Sequence, residues 1–352
     1  MLKAAYTPYN LIFKEPAMTS RATMTSKLTY FVKIWDTNNP DIFGLGECAL
    51  FEGLSYDDRP DYITRLESAC KNINDFKIAD YKDYPSIVFG IETAMSDFAN
   101  GGVRMPFNSS RFCQGEPITI NGLVWMGNKD QMIQRVEEKL LAGFKCIKFK
   151  IGGIDFNDEI NMIRSVRDRF SVKELEIRLD ANGGFTPKDA LRKLNQLADF
   201  DIHSVEQPIK PRQWNEMNEL CQSSPIDIAL DEELIGIVSA QDKEEMLDCI
   251  NPAYIILKPS LCGGFCGADE WIKFAEKKGI GWWATSALES NIGLNAIARW
   301  VDQYNLMMPQ GLGTGGLYTN NILSPIQQVG QNLVYNNSNN WQLPKFQWIT
   351  PI

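Results

Sequence analysis

From about residue 118 onward, short apolar runs alternate with amphipathic helical stretches, and this alternation constrains the fold more than any other feature of the chain. The runs are ITINGLVWM, KCIKFKI, LEIRLDA, DIHSVEQ, IDIALDE, AYIILKP, IGWWATS and, more weakly, NLMMPQG. Parallel strands need long crossovers, so strand–helix alternation predicts a parallel sheet with helices covering it. Eight units fit a closed barrel better than an open sheet. A doubly wound nucleotide-binding sheet would carry a glycine-rich phosphate turn after its first strand, and none is present. The intervening stretches carry helix signals. Thr186 can cap a helix that Pro187 begins and Leu191, Leu194 and Leu197 continue at helical spacing. Ala268, Trp271, Ile272 and Ala275 form one stripe, ended by Gly279.

The chain has 352 residues, a barrel plus roughly one hundred more. Residues 1–117 read as a separate α+β domain. KAAYTPYNLIFK, KLTYFVKIWD and IFGLGECA look like antiparallel strands, and two helices follow, carrying Tyr62, Ile63, Leu66, Cys70 and Ile73, then Val88, Ile91, Met95 and Phe98. The barrel is expected over 118–315. Residues 316–352 are expected to return to the first domain, with NNSNN as a hairpin turn between LVY and WQL.

Charged residues fall at one level of the barrel. Lys148 and Lys150 end the second strand, Asp180 the third, Glu206 the fourth, Asp231 the fifth and Lys258 the sixth. From Lys150 on they are 25 to 30 residues apart, about one strand–helix unit each. That level is the C-terminal mouth, where barrels place their chemistry. One charged residue at a strand end often only begins a loop, but five consecutive strands ending so are harder to dismiss. Three carboxylates brought together without a cation would raise one another's pKa values, and a divalent ion removes that cost. Oxygen-only ligands favour a hard ion, Mg²⁺ first and Mn²⁺ as a substitute.

Other chemistries are excluded by what the chain lacks. Its one histidine, His203, would have to serve every Ser-His-Asp or Cys-His device, and it reads as structural, on the strand face opposite Ser204 and Glu206. The eight cysteines are scattered, as in a reduced cytoplasmic protein; only Cys262 and Cys266 lie close together, and no second histidine completes a zinc cluster. The opening residues lack a signal-peptide core and no long apolar span follows. A net charge of −9 disfavours nucleic acid and anionic membrane surfaces. A small-molecule carboxylate remains the expected partner, and a homo-oligomer is compatible with all of this.

KFK on the second strand, DAN on the third, EQP on the fourth, DE on the fifth and KP on the sixth resemble the enolase superfamily, within it the muconate lactonizing group. The resemblance implies a (β/α)7β-type modified TIM barrel behind an α+β capping domain completed by the C-terminal tail. It implies Asp180, Glu206 and Asp231 as metal ligands and Lys150 and Lys258 as the acid/base pair, with Glu232 a weaker ligand candidate. Lys148 beside Lys150 would tune it. Finer details resemble the group's o-succinylbenzoate-forming dehydratases: IRLDANGGF with Arg178 and Asn182, TSALESNIGL with Thr285, Ser286 and Glu289, GLGTGG at 311–316, and MTSRATM at 18–24 as a mobile cap loop around Arg21. Dipeptide epimerases of the group carry an acidic pair where this chain has GTGG, which argues against an ammonium-bearing substrate. The implied reaction is syn-dehydration of 2-succinyl-6-hydroxy-2,4-cyclohexadiene-1-carboxylate in menaquinone biosynthesis, with a cycloisomerase, an N-succinylamino acid racemase or a dipeptide epimerase as the alternatives. For the second carboxylate of such a substrate, Ser286 and the backbone N–H groups of Gly263 and Gly264 are the expected donors.

Overall fold

The computed structural model describes residues 1–18, 23–107, 111–124, 129–304 and 306–351. Three long strands open the chain: β1 (Leu2–Met18), β2 (Thr23–Asp36) and β3 (Asn39–Cys48), an antiparallel sheet in chain order. Helices α1 (Tyr62–Lys71) and α2 (Pro85–Ala99) pack on it. The glycines of IFGLGECA let α2 lie directly on β3. A Cβ at Gly44 would sit 1.9 Å from the Ala94 carbonyl oxygen, and one at Gly46 1.9 Å from that of Gly90. This is the capping domain.

The barrel begins with β4 (Ile118–Thr119) and β5 (Gly122–Val124). It continues through α3 (Lys129–Leu141), β6 (Cys146–Lys150), α4 (Phe156–Arg167), β7 (Glu176–Asp180), α5 (Pro187–Leu197), β8 (Ser204–Glu206) and α6 (Trp214–Ser223). Then come β9 (Ile228–Leu230), α7 (Ala240–Ile250), β10 (Tyr254–Leu257), α8 (Gly264–Lys277), β11 (Gly281–Ala284) and α9 (Asn291–Val301). The strands β5 to β11 form one seven-stranded parallel sheet in chain order. Closure is made by two residues. Gln310 bridges Ile120 and Gly311 bridges Thr285, both parallel, through four backbone hydrogen bonds of 2.8–3.1 Å. The eighth stave expected from NLMMPQG is therefore present only as this pair of bridges. The architecture is a modified (β/α) barrel behind an α+β cap. No described helix is long and apolar enough to cross a membrane.

The tail departs from the expectation in one respect. The hairpin is β12 (Ile326–Val329) with β13 (Asn332–Tyr335), turned at Gly330 with φ +57°, and it pairs with β4 at the start of the barrel. NNSNN follows the second strand instead of turning the hairpin. Glycine adopts a positive φ at no steric cost, so Gly330 outcompetes the asparagines. The flanking segments do cross the cap. Lys14 N–H donates to the Leu317 carbonyl at 2.8 Å, and Tyr6 and Ile349 exchange both backbone hydrogen bonds. Tyr9 and Phe31 pack against Phe346 with ring centroids 5.9 and 5.1 Å apart.

Cap and barrel are joined by buried carboxylates. Glu47 of β3 accepts from Thr29 Oγ1, from the N–H and Oγ of Ser290, and from Gly293 N–H, all at 2.5–3.0 Å. Glu92 of α2 accepts from the N–H groups of Phe265 and Cys266 at 2.6 and 3.1 Å, which end-caps α8. Burial pushes the Glu92 carboxyl up to about 7, against those two donors. The folded state therefore holds this proton more tightly than the unfolded chain does, and stability falls as pH rises through that window. The stability of the native protein relative to Glu92→Gln should fall by on the order of 3 kcal/mol between pH 4.5 and 7, then level off, in urea unfolding followed across pH. A flat or rising difference would contradict this account of the seam.

Candidate active site

Two lysines and two carboxylates are fixed by strand register. Lys150 lies opposite Asp180, and Asp180 opposite Glu206, so three adjacent strands bring them side by side. Lys148 points the same way one layer below Lys150. Asp231 and Lys258 stand immediately after β9 and β10. The carboxylates are almost wholly buried: Asp180 is 0% exposed, Glu206 2% and Asp231 2%.

The lysines serve as counter-cations. Lys148 Nζ donates to Asp180 Oδ2 at 2.8 Å and to Glu206 Oε2. Lys150 Nζ donates to the same Asp180 oxygen at 2.6 Å and to Asn182 Oδ1 at 2.7 Å. Lys258 Nζ donates to Asp231 Oδ2. Asn182, at φ +45°, passes the chain on by donating to Glu232 at 2.9 Å. Burial opposes ionisation of Asp180, but Lys148 and Lys150 outweigh it and hold the carboxyl well below the usual range. Burial, then Asp180 and Asp231, push Glu206 well above that range. Burial works against the Lys148 ammonium too, yet Asp180, Glu206 and Asp231 raise its pKa.

The donor set fits a hard divalent cation. It consists of carboxylate oxygens that repel one another, and Glu206 Oε1 is buried without a hydrogen-bond partner among the described residues. With lysines bridging the carboxylates, no group of three such acids is already drawn round one point among the described residues.

Lys148, Lys150, Asn182, Glu232 and Lys258 line one side of a cavity of about 360 Å³, with Asp180, Glu206 and Asp231 behind them, outside its lining. The other side is Asn121, Leu123, Thr285 to Leu288, Gly311, Gly313 and Thr314, and the cap contributes Met24 and Phe51 to Leu54. Sequence reasoning did not single out Phe51 to Leu54, Asn121 or Thr314. FEGL is an ordinary turn in isolation, and only the docking of the cap makes it a wall. Of the proposed cap loop, Thr19 to Ala22, with Arg21, lie outside the described residues.

Several expected substrate contacts are placed elsewhere. Gly263 and Gly264 do not border this cavity, and the helix start behind them already serves Glu92; a Cβ at Gly264 would lie 2.2 Å from Glu92 Oε2. Ser286 borders the cavity but its hydroxyl is committed. It donates to Glu289 Oε2 at 2.5 Å and accepts from the N–H groups of Leu288 and Glu289 at 3.0 and 3.3 Å. Glu289, wholly buried, also takes the Ser260 hydroxyl at 2.6 Å, so it supports this wall from behind. Thr285 Oγ1 donates to the Gly311 carbonyl at 3.3 Å. Arg178 lies at the barrel floor, paired with Glu176 at 2.7 Å and over the Trp283 ring at 4.4 Å. His203 joins that floor, its ring 5.1 Å from Tyr254 and 6.4 Å from Trp283, instead of facing outward. It precedes the first residue of β8, so strand alternation does not govern it.

Residues 131–304 match the family described as Enolase C-terminal domain-like. The chain belongs to the enolase superfamily, whose fold it carries. Within that superfamily it is 43% identical to the o-succinylbenzoate synthase of Desulfotalea psychrophila, over 94% of this chain and 98% of that protein. The crystal structure of MenC from the same organism superposes with a TM-score of 0.83 at 40% identity, covering 95% of this chain and 99% of that one. The hydrophobic dipeptide epimerase of Enterococcus faecalis is 32% identical over 47% of this chain and 46% of that protein. A muconate lactonizing enzyme from Pseudomonas fluorescens shares the fold at a TM-score of 0.79 and 20% identity, over 98% of this chain and 96% of that one.

Glu289→Leu should lower stability by about 2 kcal/mol or more, since it strands two buried serine hydroxyls, whereas Ser286→Ala should cost only about 1 kcal/mol because Glu289 keeps Ser260. Urea unfolding of the two variants checks the ranking.

Proposed function

We propose that this chain acts as an o-succinylbenzoate synthase, removing water from 2-succinyl-6-hydroxy-2,4-cyclohexadiene-1-carboxylate to give the aromatic product in menaquinone biosynthesis. The observation that carries the reading is the opposition of two lysines. Lys150 and Lys258 rise from the second and sixth staves of an eight-stave barrel and both border the cavity, with Asp180, Glu206 and Asp231 on the three staves that separate them. A binding protein has no use for two opposed bases. The near full-length likeness to a synthase of this reaction supports the substrate, and the neutral GTGG segment disfavours a substrate with an ammonium group.

Asp180, Glu206 and Asp231 would hold Mg²⁺, with Mn²⁺ able to substitute, and Glu232 and Asn182 lie close by. When bound, the cation would hold the ring carboxylate and balance the charge that develops on it, which acidifies the α-proton. Lys150 is the base. Released from its pairing with Asp180, which the cation would take over, Lys150 takes the α-proton as the free amine, and the C–H electron pair moves toward the carboxylate. The resulting ammonium then returns that proton to the hydroxyl on the neighbouring ring carbon, the C–O bond breaks, and water leaves from the same face. Lys258 stays protonated and stabilises the enediolate from the other side. Aromatisation makes the step downhill. Cap residues Phe51 to Leu54 exclude water above the ring. Eight free thiols accord with a reducing, cytoplasmic setting.

Lys150→Ala should lower kcat by at least ~10²-fold, and Lys258→Ala should be comparably damaging. Exhaustive chelation should abolish turnover, and Mg²⁺ or Mn²⁺ should restore it. Loss of diene absorbance should far outpace racemisation of N-succinyl amino acids and epimerisation of Ala-Glu. Efficient epimerisation without dehydration would overturn the substrate while leaving the metal and lysine roles standing.

A further inference from the structure

The cavity has one cationic end and one neutral end. Lys148, Lys150 and Lys258 gather at the carboxylates, while the wall made by β5 and the Gly311–Thr314 segment holds no charged side chain. A diacid held by its ring carboxylate at the first end must place its second carboxylate against neutral groups. Most of the neutral side chains around the cavity are engaged. Ser286 is committed to Glu289 and two backbone N–H groups, Thr285 to Gly311, and Asn182 to Lys150 and Glu232.

Two remain. Asn121 Oδ1 and Thr314 Oγ1 are buried atoms without a hydrogen-bond partner among the described residues, although each residue is only 5% exposed. Asn121 stands two residues before Leu123, the register partner of Lys148, so its side chain shares the inward face of the first stave. Thr314 lies in the turn that follows the eighth stave. Gly313 between them keeps the wall low: a Cβ there would already be 3.3 Å from Ile120 Cδ1 and 3.6 Å from the Asn121 carbonyl oxygen. Native structures rarely leave a buried amide and a buried hydroxyl unpaired, and such groups at a cavity wall are those a ligand completes. The Asn121 amide has two N–H bonds to offer a ligand, and the Thr314 hydroxyl can rotate to donate. Neutral donors to an anion form the stronger, charge-assisted class of hydrogen bond.

We propose that Asn121 and Thr314 form the subsite for the second, non-reacting carboxylate of the substrate, an assignment that rests on the dehydratase reading above. This wall carries no carboxylate of its own, the Glu52 carboxylate at the cavity coming from the cap, so the pair favours a diacid over an amino-terminal substrate at this end.

The test uses the Mg²⁺-loaded protein and two ligands, o-succinylbenzoate and benzoate, which share the ring carboxylate and differ in the second. Titration calorimetry should show the native protein preferring o-succinylbenzoate. Asn121→Leu and Thr314→Val should each weaken o-succinylbenzoate about tenfold or more, and leave benzoate within about twofold. Thr314→Ser should restore the preference, and in turnover KM should rise more than kcat falls. Full preference retained in both variants overturns the subsite, as does parallel loss of both ligands, which would mean the residues act through the fold. A native protein that neither binds o-succinylbenzoate nor dehydrates the diene overturns the functional reading itself, so the two failures are distinguishable.

Discussion

Like charges buried at one level of a barrel are the constraint on which the site depends. Asp180, Glu206 and Asp231 stand within one another's fields in a place that water barely reaches. No fold tolerates that without cations, and the barrel supplies them from the neighbouring staves: Lys148 and Lys150 from one side and Lys258 from the other. Removing one member leaves an uncompensated buried charge, which is costlier than never having built the cluster. The lysines that a reaction would use are thus also the groups that let the three carboxylates fold into place. Stability and chemistry draw on the same charges.

Legibility in the sequence followed the range of the interaction. Strand–helix alternation is local, and so are the spacings that place Lys150, Asp180 and Glu206 on consecutive strands; all are visible in a linear string, and the register of β6, β7 and β8 aligns those residues side by side. What was hidden depends on partners far along the chain. Gly263 and Gly264 read as free helix-start donors because nothing near them in sequence announces Glu92. Ser286 read as a substrate donor because nothing in the string shows that its hydroxyl is taken by Glu289, itself read as a candidate beside it. Phe51 to Leu54 became a cavity wall only when the cap docked. The asparagine run does turn the chain, as read, but its flanks do not pair as a hairpin, because LVY pairs with the preceding strand across Gly330.

Buried carboxylates also organise the joint between cap and barrel. Glu47 gathers the start of α9, and Glu92 the start of α8, so the cap grips the barrel by the positive ends of two helices. Each helix is the one that follows a stave bearing part of the cavity wall. The cap therefore lies over the mouth in an orientation set by the same elements that shape it.

The pairing of Tyr6 with Ile349 bears on how the molecule is made. Strands β1 to β3 leave the ribosome first and can pair among themselves, but the surface that Phe346 and Ile349 cover stays open until the polymerisation of the chain has reached those residues. Domains fold as units in the order of synthesis, and a half-covered sheet is an aggregation hazard while it waits. A stalled or truncated product would carry a barrel with its lysines and carboxylates in place, under a cap lacking its last strand contact. Quality control by proteases would then discriminate covered from uncovered molecules at the cap, and not at the barrel.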